Sequence, residues 1–258
     1  MRDDDRVKRA LVFGEVAELY DRARPSYPDA LVTDVVAQIP DAPRARVLEV
    51  GAGTGKATLQ LAPHVGTMVA LEPDPAMAAI ATRHAATLDN VDVVVDRFED
   101  WVTAGPRFDA IVAAHCWHWV DPRVGYAKAR SLVRDDGSLA AFWNVPVVEA
   151  SPLAPAIDDA YRRHAPELED KTATTRSSFS DSLGRHPGFK VRDQREYDWD
   201  QVYTAREYAD MLCTHSDHHL LPEAERSALI AAVRDVIEDA GGTITLRYET
   251  LLVLLEPQ

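Results

Sequence analysis

Val47-Leu48-Glu49-Val50-Gly51-Ala52-Gly53-Thr54-Gly55-Lys56, with Val69-Ala70-Leu71-Glu72 further on, is the stretch that decides how this chain folds. The stretch from Val47 to Val50 reads as a buried strand, the three glycines as a tight turn, and the residues after Gly55 as the start of a helix. A second buried strand then ends in a carboxylate, Glu72. Glycine suits such a turn because the backbone must reverse sharply and approach a ligand with no Cβ in between. A helix opening directly after the turn aims unpaired N–H groups at whatever sits above it. The arrangement suits a nucleoside-containing cofactor.

Spacing narrows the choice of cofactor. A phosphate-binding P-loop needs glycine at position 50, where valine stands, and Ser or Thr after the Gly-Lys pair, where Ala57 stands. A dinucleotide turn needs two residues between its second and third glycines, and here Thr54 alone separates Gly53 from Gly55. An NAD-dependent oxidoreductase is therefore disfavoured. Glu72, at the carboxyl end of its strand, is placed to accept hydrogen bonds from a ribose diol, which a carboxylate does with several lone pairs. The plainer alternative is a turn with no ligand and a solvated acid at the strand end.

Around this stretch the pattern alternates strand and helix. Strands are expected at Val47 to Val50, Met68 to Glu72, Val91 to Val95, Phe108 to Ala114 and Ser138 to Trp143, with helices near Lys56 to Ala62, Pro75 to Leu88 and Val124 to Val133. Such alternation implies an α/β fold, a parallel sheet with helices on both faces. Two helices precede it, Val7 to Tyr20 and Asp29 to Ile39. After Asn144 come prolines at 146, 152 and 155, a helix-like piece to His164, and the polar run Lys171 to Ser178, which reads as a cap or as an ordinary surface excursion. Late strands at Phe189 to Trp199 and Thr243 to Leu255 flank helices at Ala205 to His215 and Pro222 to Ala240. We expect one domain over residues 1–258: an N-terminal cap (1–40), a cofactor-binding core (41–145), cap insertions (146–187 and 200–242) and C-terminal strands (188–199 and 243–256).

Composition limits the partners. A formal charge of −14 over 258 residues disfavours a phosphate backbone or an anionic membrane and favours a small molecule, with oligomeric state left open. Cys116 and Cys213 lie far apart in dissimilar contexts, and no apolar leader or membrane-spanning run is seen, so a cytoplasmic protein is expected.

The fourth expected strand runs into His115-Cys116-Trp117-His118-Trp119-Val120-Asp121-Pro122. Ligands of such sheets sit beyond the carboxyl ends of strands where the strand order reverses, so this loop is expected to face the chemistry. Trp117 and Trp119 are candidates to enclose a substrate, and His118, with His115 behind it, is a candidate to remove a proton. The alternative is that the aromatics wedge a helix against the sheet. His215-Ser216-Asp217-His218-His219 has metal-like density but no second ligand group at a recognisable spacing, so His215 is assigned to an acceptor pocket and no metal is expected. Met77 is placed either against an adenine face or in the core.

Glu49-x-Gly51-x-Gly53-x-Gly55, Leu71 to Pro73, Arg97 to Trp101, Trp117 to Pro122, the Gly137 turn, the Gly241-Gly242 to Thr250 tail and the segment Tyr20-Asp21-Arg22-Ala23-Arg24-Pro25-Ser26-Tyr27-Pro28 resemble the class I S-adenosylmethionine-dependent methyltransferases. The resemblance is greatest to the methyltransferase-11-type small-molecule group, in the neighbourhood of the trans-aconitate enzymes. It implies a Rossmann-like sheet of seven strands, mostly parallel with the last reversed, bearing N-terminal helices and a helical cap. It also implies S-adenosylmethionine as cofactor, S-adenosylhomocysteine as product, and in-line methyl transfer to an oxygen or nitrogen of a small molecule. Glu49, Gly51, Gly53, Gly55, Glu72 and Met77 would hold the cofactor, with Phe98 and Glu99 at the adenine. Arg24 would pair with the methionine carboxylate and Tyr20 close over the cofactor, while Tyr27, Trp117, Trp119 and His215 would meet the acceptor. A cofactor-binding protein without transferase activity is the alternative.

Overall fold

The computed structural model describes residues 16–169 and 188–258. The expected helical residues before position 16, and the Lys171 to Ser178 run, lie outside them. Seven strands form one sheet: β1 (Arg46–Val50), β2 (Thr67–Glu72), β3 (Val91–Val95), β4 (Phe108–Ala114), β5 (Val133–Val147), β6 (Phe189–Thr204) and β7 (Thr243–Pro257). Their order is β3-β2-β1-β4-β5-β7-β6. Parallel pairing links β1 to β2 and β4, β2 to β3, and β4 to β5, and the last strand is reversed. The helices of six or more residues among those described are α1 (Ala17–Ala23), α2 (Asp29–Ala37), α3 (Lys56–Leu61), α4 (Pro75–Ala85), α5 (Pro122–Leu132), α6 (Ala154–His164), α7 (Ala205–Leu212) and α8 (Glu223–Asp239). No helix among the described residues is long and apolar enough to cross a membrane.

The chain divides into two compact units. Among the described residues, one comprises Ser26–Asn144, 188–197 and Thr250–Gln258; the other comprises 16–25, 145–169 and Asp198–Glu249. Residues 26–40, expected with the N-terminal cap, fall in the unit that carries β1 to β4. There Leu31 and Val35 of α2 join Val47, Leu61, Met68, Val112 and Leu252 in one apolar cluster. Val47 and Leu48 are both wholly buried, as adjacent residues of a strand covered on both faces must be. The second unit has its own core, in which Tyr203, Tyr208, Met211, Leu229, Val233, Ile237 and Tyr248 pack together. Thr204 and Glu207 close a reciprocal capping box at the start of α7.

The fifth strand departs from its expected bounds. Phe108 pairs with Val133 and Ala110 with Ser138, so Arg134 to Gly137 bulge from the ladder instead of forming a turn ahead of it. Gly137 fits there because a Cβ would stand 2.7 Å from the Asp109 carbonyl oxygen.

Candidate functional site

β1 is the point from which the chain fills the sheet first to one side, through β2 and β3, and then to the other, through β4 and β5. Such a reversal leaves a crevice beyond the carboxyl ends of β1 and β4. The turn that follows β1 has φ of 63° at Gly51, 60° at Gly53 and 87° at Gly55, and α3 begins at Lys56. At Gly51 an added Cβ would lie 2.7 Å from Cys116 Cβ, so the turn and the loop after β4 touch there. Cys116 Sγ also donates to the Val50 carbonyl at 2.7 Å. Burial, with the nearby Glu49, Glu72 and Glu99 carboxylates, holds this thiol well above its ordinary pKa.

Glu72 locks the turn from the neighbouring strand. Its Oε2 accepts the Gly53 N–H at 2.7 Å and its Oε1 the Asp74 N–H at 2.9 Å, which leaves further lone pairs on both oxygens. Burial pushes its pKa up to about 7 against the pull of those two N–H groups. Glu49 is wholly buried, and its Oε2 accepts the Thr58 hydroxyl at 2.5 Å while Oε1 has no hydrogen-bond partner. Burial raises Glu49 to about 8. A buried carboxylate oxygen without a donor is rare in a finished structure and fits a ligand that brings an N–H or a cation to it. The residues present thus fit a group with a hydroxyl pair for Glu72 and a donor for Glu49.

Asp74 caps α4 by accepting from the Ala76 and Met77 N–H groups at 2.8 and 3.0 Å. Met77 is itself 3% exposed, with Cε 3.7 Å from where a Gly53 Cβ would stand. It packs beside the glycine turn.

The loop after β4 differs from expectation at several residues. Trp117 is buried, its ring 5.9 Å from Phe98 and 5.3 Å from Tyr126, so it wedges the loop into the core and is not an open wall for substrate. Phe98 is buried as its partner. Glu99 Oε1 accepts the Asp121 N–H at 2.8 Å, and the Glu99 carbonyl accepts from Lys128 Nζ at 2.9 Å. Glu99 therefore ties the loop after β3 to the start of α5. His115 has φ of 56° and donates its N–H to the Phe142 carbonyl at 2.7 Å. His118 and Trp119 are half-buried, with rings 4.8 Å apart. His118 Nδ1 accepts from the Trp143 indole N–H at 3.1 Å, and burial lowers its pKa to about 4. Trp143 ends the strand segment foreseen for β5 and was not singled out from sequence; an aromatic at a strand's carboxyl end was the available signal. Tyr27 packs edge-on against Phe142 at 4.7 Å and exchanges two hydrogen bonds with Gln60 through its backbone.

Tyr20, Arg24 and His215 lie in the second unit. Arg24 donates to the Thr214 hydroxyl and carbonyl at 2.8 and 3.2 Å, with its guanidinium 5.3 Å from the Tyr20 ring centre. The His215 and His218 rings are 5.1 Å apart. Ligand atoms of His215, Asp217 and His218 lie within 4.8 Å of one another, the kind of grouping that can hold a cation. However, His218 Nδ1 meets Asp217 Oδ1 at 2.9 Å and its Nε2 meets the Tyr161 hydroxyl at 2.8 Å, so a cation would have to displace one of them.

Residues 47–137 match the family model described as "Methyltransferase domain". An uncharacterized methyltransferase of Mycobacterium bovis is 34% identical over 135 residues, covering 52% of this chain and 53% of that protein. A probable S-adenosylmethionine-dependent methyltransferase of Saccharomyces cerevisiae is 30% identical over 128 residues, 48% of this chain and 43% of that protein. The chain thus spans about half the length of the curated relatives it matches. Among solved structures, a chain from Anaeromyxobacter dehalogenans shares the fold at a TM-score of 0.61 and 20% identity, over 90% of this chain and 97% of that one. An S-adenosylmethionine-dependent methyltransferase from Thiobacillus denitrificans, solved with S-adenosylhomocysteine, does so at 0.50 and 15%, over 91% and 93%. Strand order, glycine turn and matched segment coincide on β1 to β4, so residues 47–137 form a methyltransferase domain of the class I S-adenosylmethionine-dependent kind.

Proposed function

We propose that this chain transfers a methyl group from S-adenosylmethionine to a small molecule, at a carboxylate or hydroxyl oxygen or at an amine nitrogen. The observation that carries the reading is the bond from the Gly53 N–H to Glu72, which joins the glycine turn to a carboxylate with lone pairs left for a ribose diol. Glu49 Oε1, buried without a donor, supports it, because an amino group of the bound molecule supplies one. The relative in Saccharomyces cerevisiae and the Thiobacillus denitrificans structure support the same cofactor. Bound there, S-adenosylmethionine supplies a methyl group already activated by its positively charged sulfur. The protein's part is then to orient an acceptor in line with that group, and orientation can supply a large share of the rate. His115, His118 and Trp119, at the carboxyl end of β4 and none of them fully buried, are the residues we assign to the acceptor side. The net charge of −14 favours a small acceptor over nucleic acid, and the two free cysteines suit a reducing, cytoplasmic setting.

Turnover tests the proposal. Purified protein supplied with S-adenosylmethionine and mixed small carboxylic acids, phenols and amines is expected to form S-adenosylhomocysteine, and Glu72→Ala is expected to abolish this with the fold intact by circular dichroism. Binding of the cofactor with no product from any acceptor class would instead favour a sensor.

A further inference from the structure

The bond between Trp143 and His118 sets the chemistry available to the histidine. An indole N–H is a donor with no acceptor capacity, so the ring nitrogen facing it must hold a lone pair. A neutral imidazole has one such nitrogen, and its other nitrogen then carries the proton. Turning the ring over would put Cδ2 in place of Nδ1 and forfeit the bond, so the bond fixes the orientation of the ring as well as its tautomer. An imidazolium has no lone pair to offer, so protonating His118 would break the 3.1 Å bond that the indole N–H of Trp143, a residue 1% exposed, makes to it.

We propose that Trp143 is a positioning residue that fixes His118 as a neutral hydrogen-bond donor, so that His118 holds an acceptor by donating to one of its oxygens and does not remove its proton. This replaces the general-base role suggested by the sequence. The acceptor class that fits carries a lone-pair oxygen beside or at the attacked atom and needs no deprotonation by His118; a carboxylate or a carbonyl-bearing molecule meets both conditions. The low pKa of His118 accords with this state. The rings described against His118 are those of His115, at 5.9 Å, Trp119 and Trp143, so His115 is the titratable group among them.

The acceptor's identity rests on the methyl-transfer reading, whereas the state of the ring does not, and the two are tested separately. In the full, ligand-free chain labelled with ¹⁵N-histidine, with His118 assigned through His118→Gln, one ring nitrogen is expected to be protonated and the other bare from about pH 8 down to about pH 5. In Trp143→Phe the midpoint of the same ring is expected to rise, while staying below about 6.5, the unperturbed value, because the ring remains buried. A wild-type His118 that titrates near that value, or a spectrum unaltered by Trp143→Phe, would overturn the proposal whether or not the protein is a transferase. With the mixed acceptor pool as probe, His118→Gln, which keeps an N–H donor, is expected to retain most turnover while His118→Phe loses about tenfold, the size of one hydrogen bond. Equal loss in both variants would restore the base and contradict the donor role. If the wild type makes no product, the methyl-transfer reading fails and the nitrogen spectra still decide the rest.

Discussion

At Gly51 the turn leaves no room for a side chain, since a Cβ would meet Cys116 at 2.7 Å and the backbone sits at a φ of 63°. At Gly53 the φ is similar, 60°, but the nearest neighbour of a Cβ is Met77 Cε at an ordinary 3.7 Å. Both Gly→Ala changes carry the left-handed backbone cost, on the order of 1–3 kcal/mol, and only Gly51→Ala adds a collision with a neighbouring loop. A larger loss of melting temperature for Gly51→Ala than for Gly53→Ala is expected by calorimetry. The two buried acids give a pH signature. Glu49 and Glu72 are raised from 4.5 to about 8 and about 7, so the folded chain binds more protons than the unfolded one between those values. Their contribution is complete below pH 4.5 and is lost as pH rises through about 7 to 8. Thermal stability of the ligand-free protein is therefore expected to fall across that window, with a flatter profile in Glu49→Gln; an unaltered slope would show that Glu49 ionises normally.

The loops between elements are held by single side chains that accept backbone N–H groups. Asp74→Ala removes both cap bonds of α4 and is expected to cost about 0.5–2 kcal/mol, measured by urea denaturation. β1, β2 and β4 were legible in the sequence because a strand buried on both faces is a short, largely apolar run, broken in β1 only by Glu49 and in β4 only by Asp109 among its central residues, and the carboxylate ending β2 marked the site. β5 was less legible: Arg134-Asp135-Asp136-Gly137 has the composition of a turn, and a bulge cannot be told from one until the pairing of Phe108 with Val133 is seen. Trp117 and Trp119 looked equivalent at alternate positions, yet Phe98 and Tyr126, distant in sequence, bury one and leave the other half-exposed. Trp143 stayed hidden for the same reason, as its partner lies 25 residues away.

At the scale of the whole molecule, two cores divide the chain, and the glycine turn, Glu49, Glu72, His118 and Trp143 all fall in one unit. In the other, Asp217, His218 and Tyr161 form a hydrogen-bonded chain that already occupies both ring nitrogens of the histidine. His218 and neighbouring His215 hold the Asp217 carboxyl well below the usual carboxylate range, although burial opposes them. Removing metals with a chelator is accordingly expected to leave melting temperature and turnover unaltered, and a drop in either would mean that a cation sits among these groups. The most direct measurement is calorimetric titration of the full chain with S-adenosylmethionine and S-adenosylhomocysteine, with NAD as control. Binding of both sulfur compounds in the micromolar range, lost in Glu72→Ala and absent with NAD, is the expected result. Folded, ligand-free protein that binds neither sulfur compound would contradict the cofactor and every residue role built on it.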